Sequence, residues 1–386
     1  MNISLLMTPG PTYVHEDVRR AMSTEIVNPD LDLQFYEFYK DTCGKLRQLM
    51  NTKNDVVILN GEGILGLEAA CCSIIEPGDN ILCIDNGVFG RGFGEFATIY
   101  GAHVTYFISD YHKGIDVEGL KEFLKENNDF KAATLVHCET PSGITNAVDL
   151  ICPMLKEYGI ITIVDSVSAV GGERLYVDEW QMDIVIGGSQ KCLSAPPGLA
   201  FLSISKTAWD KILNRKSPIA GFYCSLAHWK TWYEDKWFPY TPPVNDIYAL
   251  REAVRRLLRD KTALERHRRA AGAVREGLIA AGLQLYPMES FSSTVTTVML
   301  PEGVAFEELS RKLCEEHGIL IGGAFDFLKD RVIRIGHMGE NCRNEKIYAA
   351  LKAFDHVLRS LGVELKAHIH TVFEEIISHE LKQGVC

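Results

Sequence analysis

The sequence predicts an α/β fold, with a large N-terminal part built on a mostly parallel seven-stranded sheet and a small C-terminal α+β part. Three observations carry that expectation. Over the first two-thirds of the chain, short apolar runs alternate with longer amphipathic stretches, the pattern of strands joined by helices. The runs are nearly continuous in apolar residues, as befits strands covered on both faces. The 386-residue length exceeds what a single hydrophobic core usually spans, so about two units are expected, 1–250 and 251–386.

In chain order, strands are expected at Val56–Leu59, Asn80–Ile84, His103–Phe107, Ala133–His137, Ile160–Val164, Ile184–Ile186 and Leu199–Ser203. Helical periodicity falls between them at Leu65–Ile75, Arg91–Tyr100, Val117–Glu126 and Ile151–Tyr158. The aromatic, proline-containing stretch Trp229–Pro243 interrupts the alternation. One long helix, Asp246–Ala281, is then expected to connect the two parts. A strand (Thr294–Leu300), a helix (Ala305–His317), a strand pair (Ile319–Gly322 and Arg331–Ile335) and a helix (Glu345–Leu361) complete the small part. A last helix is expected over Lys366–Leu381.

Composition narrows the function classes. The chain is 46% hydrophobic and 24% charged, with a formal net charge of −11, an ordinary globular balance. No basic stripe offers a nucleic-acid footprint. The basic cluster Arg251–Arg269 is interleaved with Leu257, Leu258 and Leu264 and reads as the solvated face of a helix. The eleven cysteines lack metal-ligand spacing and are expected as free thiols in a reducing compartment. With no leader-like start and no membrane-length apolar run, the expected location is the cytoplasm.

Chemistry concentrates at the ends of the apolar runs. Lys191 follows Ile184-Val185-Ile186-Gly187-Gly188-Ser189-Gln190 and precedes the constrained loop Ala195-Pro196-Pro197-Gly198. A lysine closing a buried strand is costly unless its amine is used, and condensation with an aldehyde cofactor is one such use. Asp165 closes Ile161-Thr162-Ile163-Val164 and is the partner a pyridine nitrogen needs. Lysine and aspartate together point to pyridoxal 5'-phosphate (PLP). Asn60-Gly61-Glu62-Gly63 lies between a strand and a helix, where free backbone N–H groups and the helix dipole suit a phosphate, although a plain turn explains the same residues. Phe89, flanked by Gly87 and Gly90, could stack on a flat ring or simply fill core. Arg334, within Val332-Ile333-Arg334-Ile335, needs an anion: a substrate carboxylate or a structural acid. His137-Cys138-Glu139-Thr140 brings hydroxyls to the same edge; an adjacent His-Cys pair has no workable metal spacing, and both are read as structural.

These residues, with Met7-Thr8-Pro9-Gly10-Pro11, Leu67-Glu68-Ala69, Asp165-Ser166-Val167-Ser168 and Arg334-Ile335-Gly336-His337, resemble class V aminotransferases over nearly the whole chain. The branch they are most similar to holds alanine–glyoxylate and serine–pyruvate (or serine–glyoxylate) aminotransferases. The resemblance implies the type I PLP-transferase fold, with Lys191 bound to the cofactor aldehyde, Asp165 on the ring nitrogen and Phe89 stacked on the ring. It implies phosphate held by the backbone of Glu62, Gly63 and Ile64 with Gln190, and Thr140 beside the phenolic oxygen. Arg334 would bind the substrate α-carboxylate, and Thr241 would reach the phosphate of the other subunit in a homodimer with shared sites. The chain departs from the pattern at Val27-Asn28-Pro29-Asp30, where relatives carry a Gly-His segment lining the substrate pocket. It departs again at Glu62, whose carboxylate is expected to point away from phosphate, and at Phe238, which replaces a hydrogen-bonding aromatic. The activity implied is amino transfer from alanine or serine to glyoxylate or pyruvate. Alternatives on the same fold are a lyase or desulfurase, for which Cys342 is the one cysteine near a candidate site, and a phosphonate-type transaminase. A nicotinamide-binding protein lacks its glycine fingerprint here; a non-catalytic scaffold would not need both Lys191 and Asp165.

Overall fold

The computed structural model describes residues 5–382. Seven strands form the main sheet: β1 (Asp55–Asn60), β2 (Asn80–Asp85), β3 (His103–Ile108), β4 (Ala132–Val136), β5 (Ile161–Asp165), β6 (Ile184–Gly188) and β7 (Leu199–Ile204). Their spatial order is β1-β7-β6-β5-β4-β2-β3. Only β7 runs against the others, pairing antiparallel with β1 and β6. The remaining neighbours are parallel. Six strands therefore point their C-terminal ends to one rim, where open α/β sheets bind ligands.

Strand composition explains position in the sheet. β4, β5, β6 and β7 are buried at every residue, and their continuous apolar sequences fit helices on both faces. β3 is the exposed edge, and its sequence His-Val-Thr-Tyr-Phe-Ile mixes polar with apolar side chains. Gly66 lets the helix Gly63–Ile74 approach the sheet, since a Cβ there would come within 2.6 Å of Ile186.

The chain builds two main apolar cores. The larger gathers side chains from Val18 to Val254, including Tyr39, Ile58, Ile163 and Phe201. The segment predicted to break the alternation folds onto it: Phe238 stacks on Tyr36 with centroids 4.6 Å apart, and Trp229 on Tyr39 at 6.0 Å. The smaller core joins Val274, Leu278, Ile333, Leu351 and Phe354 to Phe373 of the last helix, Ile369–Lys382. That helix closes the core on which Ala263–Ala280 lies. Two short sheets accompany it: Leu5–Met7 pairs with Ile319–Ile321, and Val295–Met299 with Val332–Gly336.

One expected element divides. The predicted helix Asp246–Ala281 is two helices, Val244–Arg259 and Ala263–Ala280. At the break, the Asp260 carboxylate accepts from the Thr262 backbone N–H (3.2 Å) and hydroxyl (2.8 Å). Such a local side-chain bond competes with the helical ladder. Arg266 then pairs with Asp260 at 2.7 Å across the corner. Among the described residues, no helix is long and apolar enough to cross a membrane.

Candidate active site

Lys191 leaves the rim just after β6, and Asp165 ends β5, the neighbouring strand. The Lys191 amine donates to the Pro9 carbonyl at 2.6 Å. Burial, and then the charge of Arg334, lower its pKa to about 8, while Asp165 opposes that shift. Asp165 is itself buried; burial raises its carboxyl to about 6, against a 2.8 Å bond from the Val167 N–H and the attraction of Lys191. The two groups lie close enough to feel each other's charge. A buried amine with this pKa is substantially neutral in mildly alkaline solution, the form that attacks a carbonyl or takes a proton.

Arg334 comes from the second core but reaches the same place, since its charge acts on Lys191. Its Nε donates to the Gly323 carbonyl at 2.5 Å. It makes no ion pair among the described residues, and burial is the one influence on its pKa, lowered to about 10. A desolvated guanidinium with no acid beside it is a receptor for an anion.

The remaining predicted residues line the rim around this trio. The helix Gly63–Ile74 starts at Glu62 with no side chain capping it, so its first N–H groups are available to an anion. Gly63 is needed there: a Cβ would lie 2.7 Å from Val167, next to the Asp165 strand end. Glu62 is exposed, and its charge raises the Asp165 pKa. Ile64 is exposed too. Gln190 is buried, and its side-chain oxygen has no hydrogen-bond partner. Thr140 shares a 2.5 Å hydroxyl–hydroxyl bond with Ser168 on the adjacent strand end. Phe89 opens the helix Val88–Ile99 beyond β2. Thr241 is exposed, and its carbonyl accepts from Asn60 Nδ2 at 2.8 Å, beside the phosphate-type turn of its own chain. Phe238 is a core side chain instead. His137 and Cys138 are buried, and burial pushes the imidazole down to about 4 and the thiol up to about 12.

Three contacts at the site are visible only in the structure. Gly10 has φ +94°, and a Cβ on it would come within 2.5 Å of the Lys191 side chain, so only glycine lets the lysine pass. The placement of Gly10 between two prolines was the available signal. Glu139 is fully buried; burial raises its carboxyl to about 8, against a 2.6 Å bond from the Gly90 N–H. Its other oxygen has no partner. It holds the start of the helix that carries Phe89, a contact between distant segments that no local pattern reveals. Phe325 sets its ring edge-on to Phe89, at 5.7 Å between centroids.

A cavity of about 680 Å³ lies behind the Lys191 loop, against Cys192–Ser194. Among its arginines, Arg256, Arg266 and Arg343 pair with Asp17, Asp260 and Glu340.

An uncapped helix start, a buried carboxylate and a partly neutral lysine fit a phosphorylated pyridine aldehyde. Such a rim on a type I sheet defines a PLP-dependent enzyme. Comparison narrows the class. The family described as Aminotransferase class-V matches residues 13–323. Pyridoxamine–pyruvate transaminase of Mesorhizobium japonicum is 33% identical over 367 residues, covering 94% of this chain and 93% of the relative. Alanine–glyoxylate aminotransferase of Callithrix jacchus is 30% identical over 364 residues, covering 92% and 87%. The crystal structure of ureidoglycine–glyoxylate aminotransferase from Bacillus subtilis superposes with a TM-score of 0.93 at 33% identity, covering 97% of each chain. The chain belongs to the class-V aminotransferase family, and it is a PLP-dependent enzyme.

Proposed function

We propose that this aminotransferase moves the amino group of a small amino acid, alanine or serine, to glyoxylate or pyruvate in two half-reactions at one site. Arg334 carries the reading: it is a half-buried guanidinium without an acidic partner among the described residues, acting on Lys191. A substrate α-carboxylate satisfies it with a two-pronged contact and turns the α-carbon toward the lysine. The names of the similar proteins, which pair pyridoxamine with pyruvate and alanine or ureidoglycine with glyoxylate, support a small 2-oxo acid as acceptor.

In this reading Lys191 anchors the cofactor and carries the α-proton, a task that suits a pKa lowered to about 8. Asp165 keeps the ring nitrogen protonated, and Phe89 supports the ring face. Thr140 sits by the phenolic oxygen, and Glu62, Gly63 and Ile64 hold phosphate through their backbone together with Gln190. Bound PLP supplies an aldehyde for the incoming amine and a ring that draws electrons from the α-carbon. Thr241 serves the phosphate of a second subunit, which makes the enzyme a homodimer; its exposed side chain supports that role. The division at 1–250 and 251–386 and a cytoplasmic location belong to the same proposal, and unpaired buried thiols support the latter. A desulfurase reading loses its nucleophile, because Cys342 is buried and burial pushes its thiol up to about 12.

The test is spectroscopic. The purified protein is loaded with PLP and titrated with single amino acids. Alanine or serine should deplete the visible cofactor band, pyruvate or glyoxylate should restore it, and Lys191→Ala should show neither. A band that no amino acid alters overturns the proposal.

A further inference from the structure

Two aromatic rings meet at a steep angle beside Arg334. Phe325 and Phe89 have centroids 5.7 Å apart and planes inclined by 75°. The Arg334 guanidinium stands 5.8 Å from the Phe325 ring centre, and its Nε holds the Gly323 carbonyl of the same loop. The loop is fixed on its other side as well. Phe325 opens the short turn Asp326–Leu328, Asp326 takes a left-handed φ of +55°, and Leu328 is fully buried against Tyr286 and Val332. Yet Phe325 is 44% exposed. The ring is thus held in place beside the spot where Arg334 would receive an anion, with part of its face free.

We propose that Phe325 determines which substrates the enzyme accepts, by forming the wall against which the substrate side chain packs. The proposal rests on the reading that Arg334 holds the α-carboxylate. With that group on Arg334 and the amine directed to Lys191, the side chain has the space along Phe325 and Phe89. The wall is apolar and bulky. It favours short uncharged side chains, crowds out long ones, and offers a second carboxylate no partner for the water it would lose. Pockets of this kind discriminate by roughly 10–200-fold per methylene.

The test uses the PLP-loaded enzyme and follows the cofactor band in single half-reactions with alanine, 2-aminobutyrate, norvaline and glutamate. Wild type should fall about tenfold or more in kcat/KM from alanine to norvaline and hardly use glutamate. Phe325→Ala should raise the norvaline-to-alanine ratio at least about tenfold. Phe325→Leu, which keeps an apolar but smaller wall, should move the ratio the same way by less. PLP affinity, titrated separately, separates this from lost support of Phe89. A ratio unchanged in both variants, or a proportional fall for every donor, overturns the proposal. A wild-type band that no donor alters overturns the transaminase reading and this proposal with it, whereas an unchanged ratio in an active enzyme overturns this proposal alone.

Discussion

Lys191, Arg334 and Glu139 each carry a proton equilibrium set by burial, and each makes a prediction. The Lys191 pKa is lowered to about 8, so its neutral, reactive fraction falls about tenfold for each pH unit below that value. The rate at which cofactor-free protein takes up PLP should therefore climb with pH through about 8 and level off above, followed by absorbance in a stopped-flow mixer. Arg334→Gln removes a charged two-pronged donor; KM for alanine should rise roughly 10–100-fold with a smaller change in kcat, seen in steady-state kinetics. Glu139 keeps its proton to about 8, whereas the unfolded chain releases it near its ordinary 4.5. Between those values the folded state binds more protons, so this residue makes stability fall as pH rises. Melting of the cofactor-free protein should show Glu139→Gln gaining on wild type by roughly 2–4 °C from pH 5 to pH 8.

At the scale of elements, the strand–turn–helix unit from β1 through Gly61-Glu62-Gly63 to Ile74 combines two properties. Its uncapped helix start attracts an anion, and Gly63 allows the turn to touch Val167. Gly63→Ala puts a Cβ 2.7 Å from that side chain, and Val167 also donates to Asp165. The turn must shift, so PLP affinity should fall at least about tenfold in an absorbance titration, with the secondary structure intact by circular dichroism. Element identity was legible because apolar runs and glycine turns are local signals. The break at Asp260 was not, because the same aspartate reads as an exposed helix position until Thr262 and Arg266 are seen to hold it.

For the whole molecule, the question is whether one chain completes a site. If Thr241 serves the partner's cofactor, a Lys191→Ala subunit mixed with a Thr241→Ala subunit has one site with both defects and one with neither. Such hybrids should regain about half the wild-type activity per dimer, well above Thr241→Ala alone. If Thr241 serves its own chain, where its carbonyl already bonds Asn60, mixing restores nothing. Hybrids made by co-refolding and separated by charge tags read out the difference.

By itself, the sequence determined the seven strands of the main sheet, the candidates Lys191, Asp165 and Arg334 beside or within apolar runs, and the aminotransferase resemblance. The reason is local: a charged residue next to a buried apolar run is pressed to the strand end or must find a ligand, and neighbours in sequence reveal it. Only the tertiary structure decided that Gly10 clears the path of Lys191, that Glu139 caps the Phe89 helix, that Phe238 belongs to the core, and that Phe325 stands between Phe89 and Arg334. Those contacts join segments far apart in the chain, and they exist because of how strands are ordered and two cores are packed together, which periodicity along a single chain does not encode.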